Sequence, residues 1–443
     1  MAAPTASTAI RPSPALEAVP PVTPNLVRRK EIPGARQVGR NTLETLLFRG
    51  LSTPVALLLV VIQSRFLDPA GRGSFVLVVL SVAILARLFG QFGVAVTSRS
   101  PGRDVRPLVV CALALSFLLG LAGMALILLG GALVHAIGIR LAAIAAPALI
   151  PNVVSACISG VLLGQARIRL WNYIQVLPPV LTLVGMLVVV VGLGHGVQGA
   201  VGVWTAAYFA TAAFAVIAAR DLWLPPVMPR ILGHDGRALA WLAFVIGAVQ
   251  IVNLISVELL VLDHYKGLAA VGIYSIAIQT AEAMWLVSAA IATAVTGPVV
   301  HESPDRAARV IRNACTRGLL YTIGIAVAVG AVAPFAIPLL FGNEFRGATR
   351  PLALLLPGVV VYAPVSILVV YLSVRRERPR LSLLVSVVGL VVTAAASFVF
   401  VPRYGASGAA LASAIGYLAG GLAAWLCFVG LAGLTPLGRR RPH

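Results

Sequence analysis

Residues 65–75 read RFLDPAGRGSF, a short polar stretch between two long apolar runs. Pro69 lacks the N–H group that a helix interior needs, and Gly71 and Gly73 tolerate the backbone angles of a turn. Asp-Pro followed by Gly is a turn signal. The stretch therefore predicts a tight connection between two helices.

Long apolar runs make up most of the remaining chain. Of the 443 residues, 59% are hydrophobic and 11% are charged, and the mean hydropathy is +0.98. A bilayer core about 30 Å thick needs roughly 20 mostly apolar residues for each helical crossing. Segments of a membrane β-barrel would be shorter and would alternate apolar with polar residues. The composition thus predicts an all-α integral membrane protein. Twelve transmembrane helices are predicted, at residues 43–66, 73–97, 107–130, 141–163, 171–192, 198–219, 239–262, 270–298, 318–341, 351–373, 381–400 and 407–430.

The net charge of +20 is distributed unevenly between the two sides of this topology. With a cytoplasmic N-terminus, 25 of the 34 Lys and Arg residues fall in the tails and loops on that side. Seven, including Arg72, fall in loops on the other side, and Arg49 and Arg87 lie inside helices. This asymmetry is the positive-inside bias. We therefore expect a multi-pass protein of the inner or plasma membrane with both termini cytoplasmic, membrane lipids beside its basic residues, and no nucleic-acid partner.

The two ends of the chain lack apolar segments. Residues 1–41 are rich in Ala, Pro, Thr and Arg and contain no hydrophobic core of a secretory signal, so we interpret them as a disordered cytoplasmic tail. Residues 432–443 predict a second, basic cytoplasmic tail. The four cysteines show no metal-ligand or disulfide spacing, and we interpret them as small packing residues.

The opening stretch has a counterpart about two hundred residues later. HYKGLAAVGIYS (264–275) also interrupts the apolar background, and its alignment with the first stretch matches Gly73 to Gly272 at an offset of 199. A second pair of segments, GVQGAVGVWTAAYF (196–209) and GASGAALASAIGYL (405–418), aligns at an offset of 209. Two matches at nearly the same offset indicate an internal duplication.

The duplication divides the twelve helices into two lobes of six, at 42–236 and 237–431. Because six is even, both lobes begin on the same side, and they are parallel repeats related by a pseudo-two-fold axis along the membrane normal. This architecture is typical of alternating-access transporters. The soluble segments contain no Walker A, HExxH or GxSxG motif. We therefore expect a transporter and not an enzyme.

Four blocks of sequence resemble a known family. They are RFLDPAGRGSFVLV (65–78), ELLVLDHYKGLAAVGIYSIAIQTAE (258–282), PLLFGNEFRGATRPLALLLP (338–357) and VPRYGASGAALASAIGY (401–417). On these blocks, and over roughly residues 38–430, the chain resembles the bacterial polysaccharide or oligosaccharide-lipid flippases of the multidrug/oligosaccharidyl-lipid/polysaccharide exporter superfamily. The resemblance implies outward movement of undecaprenyl-pyrophosphate-linked oligosaccharide for O-antigen or other cell-surface polysaccharide assembly. It also implies coupling to an ion gradient, and polysaccharide biosynthesis enzymes as partners.

Ionisable residues inside membrane helices are costly and normally face a cavity or a partner. Arg87 is predicted near mid-membrane, with Gln91 one helical turn further on, and Arg49 lies a turn or two from the cytoplasm. We interpret these three residues as ligands of an anionic pyrophosphate headgroup. The alternatives are a structural ion pair for Arg87, and for Arg49 either such a pair or a side chain that extends to the membrane surface.

The second lobe carries acidic residues instead. Glu282 lies twelve residues into the eighth helix, and Glu258 lies in the seventh. We interpret Glu282, and after it Glu258, as ion-coupling residues for H⁺ or Na⁺, and we expect no other cofactor and no structural metal. The alternative for Glu282 is a buried ion pair with Arg49 or Arg87.

Three other functions remain open at this point, of which a non-transporting membrane scaffold would leave the buried charges unexplained. A cation-coupled multidrug-type exporter would use the same architecture, and acidic cavities with few arginines would favour it. An integral-membrane polysaccharide polymerase or ligase would require a large outer loop with catalytic groups, whereas the predicted outer loops have about ten residues or fewer.

Overall fold

The computed structural model describes residues 54–432 with the exception of 101–103, 134–137, 226–227, 229–230, 232, 253–255, 302 and 376–377. In this part of the chain every regular element is a helix. Ten of these helices are long and apolar enough to cross a membrane. The other two predicted transmembrane helices are also present. The first is described from Pro54 onward, and the seventh is divided into two segments. The chain is a multi-pass membrane protein with the predicted twelve-helix architecture.

Each lobe contains six consecutive helices. Those of the first lobe are α1 (Pro54–Phe66), α2 (Pro69–Phe89 and Phe92–Arg99), α3 (Val105–Leu133), α4 (Ile139–Gly164), α5 (Ile168–Gly192) and α6 (Gly196–Ala218). Those of the second lobe are α7 (α7a, His234–Ile251, and α7b, Val257–Lys266), α8 (Leu268–Glu282 and Trp285–His301), α9 (Pro304–Phe341), α10 (Thr349–Tyr362, Val365–Val369 and Val370–Arg375), α11 (Pro379–Tyr404) and α12 (Ala406–Ala432).

The turn between α1 and α2 is shorter than the sequence predicts. Asp68 caps α2, since its Oδ1 accepts a hydrogen bond from the Gly71 backbone N–H, and Pro69 is the first residue of the helix. Arg72 therefore lies in the first turn of α2, where its side chain is 0% exposed. The prediction that Arg72 lies in an outer loop is wrong, because an Asp-Pro pair starts a helix as well as it makes a turn.

The two lobes meet at residues that the internal alignment matches. A Cβ atom on Gly73 would collide with the Leu268 carbonyl oxygen, and one on Gly272 would collide with the Pro69 carbonyl oxygen. Gly73 and Gly272 differ by 199 positions, and so do Pro69 and Leu268. Equivalent residues that contact each other reciprocally lie on a two-fold axis, so the pseudo-axis passes between α2 and α8.

The second matched pair contains a glycine with a positive φ angle in both lobes. Gly196, which begins α6, has φ of +51°, and Gly405, which precedes α12, has φ of +55°. These angles suit glycine because a Cβ atom is strained in the left-handed region. The duplication predicted from sequence thus reappears in local geometry.

Helix α7 contributes to the cores of both lobes. Leu239 and Ala243 of α7a pack in a buried cluster with side chains of α2, α3, α4 and α6. Leu259 and Leu262 of α7b pack instead with α8, α9, α10 and α12. The seventh helix therefore crosses from one lobe to the other at the break between its two segments.

Candidate functional site

A polar cavity of about 420 Å³ lies inside the first lobe, between α2, α4, α5 and α6. Arg87 is the basic residue among its lining side chains, and Gln91 of the same helix also faces the cavity. The structure thus brings these two predicted site residues together. The other polar side chains of the lining are Asn152, Ser155, Ser159, Gln175, Tyr208 and Thr211.

Arg87 lies three residues before the kink that Gly90 introduces in α2. Its side chain is exposed to the cavity, and the Gln91 amide donates a hydrogen bond to the Arg87 carbonyl oxygen at 3.2 Å. Tyr208 lies close to Asn152 and near enough to Arg87 for an electrostatic interaction. None of the ion pairs formed within the described segments includes Arg87.

An unpaired guanidinium group in such a place has a defined chemical use. Its planar donors match the oxygen atoms of a phosphate or pyrophosphate group, and the hydrogen bonds are strengthened by charge. A charge inside a membrane protein is costly without a partner, and an anionic ligand in this cavity would supply one to Arg87.

A second polar cavity, of about 290 Å³, lies between α7b, α8, α10, α11 and α12. Glu258 and Glu282 both line it, so the two predicted coupling residues also share one site. The remaining polar and aromatic lining is formed by Ser256, Trp285, Tyr362, Ser386, Thr393, Ser413 and Tyr417.

Hydroxyl groups hold both carboxylates of this cavity. The Tyr417 hydroxyl donates a hydrogen bond to Glu282 Oε1 at 2.7 Å. Glu258 is 4% exposed and interacts with the Ser413 hydroxyl, which is itself 2.9 Å from the Tyr274 hydroxyl. No Lys, Arg or His lines the described part of the cavity. Two carboxylates that repel one another without a basic neighbour can together hold a cation or share a proton.

The two cavities occupy equivalent places in the two lobes. Helices α2, α4, α5 and α6 correspond to α8, α10, α11 and α12 when six is added to each number. Tyr208 of the first cavity matches Tyr417 of the second at the offset of 209 seen in the sequence. The duplicated scaffold therefore presents one basic cavity and one acidic cavity.

The structure tests the alternative of an ion pair between Glu282 and Arg87, and it leaves the assignment of Arg49 untested. The ion pair between Glu282 and Arg87 does not form, because Glu282 bonds to Tyr417 and Arg87 lies in the other cavity. Arg49 lies outside the described residues, so its assignment to the headgroup site stays a prediction.

Sequence reasoning missed the tyrosines and Arg72. The repeated tyrosine stands in the aligned segments and could have been found there, since a matched polar residue in two apolar helices is a signal of its own. Nothing in the local sequence distinguishes Arg72 from Arg65, which lies seven residues earlier.

No protein-family model and no curated protein sequence matches the chain. Several solved structures do. The lipid II flippase MurJ in an inward closed conformation is 13% identical, with 88% of this chain and 90% of that chain covered and a TM-score of 0.73. A multidrug resistance MATE family transporter of the MOP superfamily, in an inward-facing conformation, is 17% identical, with coverages of 86% and 94% and a TM-score of 0.70.

A third match is a MOP superfamily transporter from Pyrococcus furiosus Vc1, which is described as having a binding pocket of reverse polarity that suggests a different function. It is 15% identical, with coverages of 89% and 95% and a TM-score of 0.63. The three matches show that this chain has the same fold as the two MOP superfamily transporters and the lipid II flippase. At these identities the likeness concerns the fold alone.

Proposed function

We propose that this membrane protein, built on the MOP superfamily fold, is a flippase for a lipid with an anionic headgroup. The observation that carries the proposal is Arg87, which lines a polar cavity of the first lobe and forms no ion pair with another described residue. The substrate that fits both this site and the sequence resemblance is undecaprenyl-pyrophosphate-linked oligosaccharide, moved outward for cell-surface polysaccharide assembly. The enzymes that make and polymerise this oligosaccharide are the expected protein partners.

In this proposal Arg49, Arg87 and Gln91 contact the pyrophosphate group. If the termini are cytoplasmic, the helix bounds predicted from sequence place Arg49 nearer the cytoplasm than Arg87, so a headgroup that enters from that side would meet Arg49 first. The polyprenyl tail stays in lipid, where it does not have to cross a polar region. Alternating access of the two lobes then releases the headgroup on the other side.

Glu282 and Glu258 couple this movement to an ion gradient. Their cavity is acidic and lies in the second lobe, away from the Arg87 cavity, so a bound H⁺ or Na⁺ and the headgroup do not compete for one site. A cation that neutralises the two carboxylates changes the electrostatic cost of burying them. The ion thereby favours one conformation of the transporter over the other.

Binding by Arg87 variants tests the substrate site. Purified protein in nanodiscs is mixed with undecaprenyl pyrophosphate or with undecaprenol, which has the same tail without the charge, and binding is measured by native mass spectrometry. Arg87→Ala should weaken pyrophosphate binding by at least about tenfold, the effect of losing one hydrogen bond to a charged group. Arg87→Lys should bind at an intermediate level, because it keeps the charge and loses the planar donor pair.

Arg140→Ala is the matched control, since Arg140 is an exposed arginine of the first lobe outside the cavity. It should bind as the wild type does, and undecaprenol binding should be the same in all variants. Unchanged pyrophosphate binding by Arg87→Ala, together with a large fall in melting temperature, would make Arg87 a structural residue and would refute the headgroup site.

A multidrug-type cation exporter is the second candidate, and the acidic cavity favours it. Trp285, Tyr362 and Tyr417 form an aromatic cluster beside Glu282, with ring centroids 5.1–5.4 Å apart. Aromatic faces and carboxylates attract organic cations. Saturable binding of tetraphenylphosphonium that is lost in Glu282→Gln, without binding of undecaprenyl pyrophosphate, would decide for this candidate.

A further inference from the structure

Two arginines of the opening stretch reach from the first lobe to the second. Arg65 lies in the last turn of α1 and Arg72 in the first turn of α2. Both lie at the end of the bundle that carries the α1–α2, α7–α8, α9–α10 and α11–α12 connections, which we term the hairpin face. Neither belongs to the two polar cavities described above.

Arg72 bonds to both lobes at once. Its Nε donates to Ser275 Oγ at 2.9 Å, and one terminal nitrogen donates to Gln279 Oε1 at 2.9 Å, both in α8. The other terminal nitrogen donates to the Val60 carbonyl oxygen and to Gln63 Oε1 in α1, each at 3.2 Å. Among the described residues none of these partners is a carboxylate, so a full positive charge is buried among neutral acceptors.

Arg65 makes a second connection between the lobes. Its guanidinium group donates to the Leu339 and Leu340 carbonyl oxygens at the end of α9, the latter at 2.9 Å. Those carbonyl groups belong to the last helical turn, where no further N–H group of the helix follows. A basic side chain is favourable at that end of a helix.

The backbones of α2 and α8 touch at this same place. Gly73 and Gly272 allow the contact, since a side chain on either residue would collide with the opposite helix. Arg72 directly precedes Gly73, and this close approach lets its side chain reach Ser275. The hairpin face is therefore shut by one backbone contact and two arginine bridges.

We propose that Arg65 and Arg72 form the gate that closes the transport pathway on the hairpin face, and that Arg72 sets how readily the gate opens. This inference rests on the proposed transport by alternating access. In the closed gate Arg72 is buried from solvent and its partners among the described residues are neutral, and opening exposes it to water. Its hydrogen bonds favour the closed state, whereas its unneutralised charge favours the open one.

The separation of the lobes at the hairpin face tests the gate without any substrate. Spin labels are attached to cysteines that replace His195 and Asn343, exposed residues in the first and second lobes, in a variant that lacks the four native cysteines. Distance distributions from electron double resonance in nanodiscs then report the ratio of open to closed molecules.

Gln279→Ala removes one acceptor and leaves the charge in place, so the ratio of open to closed molecules should rise by about tenfold. Arg72→Met removes the buried charge, so hydrogen-bond acceptors are no longer needed to stabilise it. Ser275 keeps its bond to the Gly272 carbonyl oxygen, so this variant should stay as closed as the wild type or become more closed. The double variant Arg72→Met/Gln279→Ala should have the same ratio of open to closed molecules as Arg72→Met, because Gln279 acts only through Arg72.

Thr280→Ala is the matched control, since Thr280 is the next residue of the same helix and makes no hydrogen bond to Arg72. It should leave the distances unchanged. Circular dichroism and size exclusion show whether each variant folds. The gate proposal would be overturned if Gln279→Ala left the distance distribution unchanged. It would also be overturned if the double variant were as open as Gln279→Ala alone. Because no lipid substrate is present, this result is independent of the binding results for Arg87.

Discussion

Individual side chains give the two polar cavities their opposite charges. The position that matches Glu282 at an offset of 199 is Ala83, which lines the first cavity, and the position that matches Arg87 is Leu286 in α8. The two cavities lie between corresponding helices of the two lobes, so their opposite charges come from the side chains at a few positions. Cavities at corresponding places, of about 420 and 290 Å³, in this way carry a basic side chain in one lobe and two carboxylates in the other.

The first prediction at this level concerns Glu282. Glu282→Gln keeps the hydrogen bond from Tyr417, because an amide oxygen also accepts, but it removes the negative charge. The variant should fold and insert normally, should bind undecaprenyl pyrophosphate as the wild type does, and should lose gradient-driven flipping. Movement of a fluorescent lipid-linked oligosaccharide in proteoliposomes, with imposed H⁺ or Na⁺ gradients, measures the effect.

Glu344→Gln serves as the control, because Glu344 is an exposed acidic residue of the second lobe outside the cavity. If Glu282→Gln still transports in a gradient-dependent manner, Glu282 has no part in coupling, and Glu258→Gln becomes the variant to measure.

Helices that are interrupted or closely packed determine where these side chains lie. Helix α2 is kinked at Gly90 beside the first cavity, and α8 is interrupted after Glu282 beside the second. Interrupted helices are common around the substrate and ion sites of transporters, because the altered backbone changes the direction of the neighbouring side chains. The crossing of α2 and α8 needs glycine in both helices, since lipid supplies no hydrophobic force that would hold bulkier faces together.

Alanine substitution at the crossing gives a second prediction. Gly73→Ala and Gly272→Ala should each lower the melting temperature, because the new methyl group collides with the opposite backbone. The double variant should lower the melting temperature by less than the sum of the two single effects, since one substitution already separates the helices. Thermal unfolding of the purified variants provides the comparison.

Gly324→Ala is the matched control, because a Cβ atom there meets no atom within 4 Å. In a helix interior this change should be neutral or stabilising by up to about 1 kcal/mol. Equal effects of Gly73→Ala and Gly324→Ala would show that the crossing tolerates a side chain and that the reciprocal contact is not required.

The whole molecule consists of two parallel lobes, with α7 packed into the cores of both. Its orientation in the membrane remains a prediction that rests on the asymmetry of Lys and Arg between the two sides. The orientation decides whether the hairpin face is external, and hence whether the proposed gate closes the outer or the inner end of the pathway.

Labelling of single cysteines tests this orientation. In a background without the native cysteines, Ser100→Cys and Ser303→Cys should be protected from an impermeant thiol reagent in intact cells, and His195→Cys should react. His195 is a better site than its neighbour Gly194, whose φ of +70° disfavours a side chain. Labelling at Ser303 without labelling at His195 would reverse the orientation.

The sequence by itself determined the helical membrane class, the order of twelve helices and the internal duplication. The first two depend on local composition, because any run of about 20 apolar residues must satisfy its backbone hydrogen bonds as a helix in lipid. The duplication follows from the alignment of two pairs of segments at nearly the same offset. The sequence also singled out Arg87, Gln91, Glu258 and Glu282, since an ionisable or strongly polar residue in such a run is conspicuous wherever the helix packs.

The tertiary structure alone decided which of these side chains meet. It placed Arg87 and Glu282 in separate cavities, divided α7 between the two lobes and buried Arg72 between helices that lie about two hundred positions apart in the chain. Hydropathy cannot predict such contacts, because the same polar residue is equally suited to a loop, a cavity or an interface. Which of the three it occupies depends on how closely the helices approach, and here that distance is set by glycines in two different lobes.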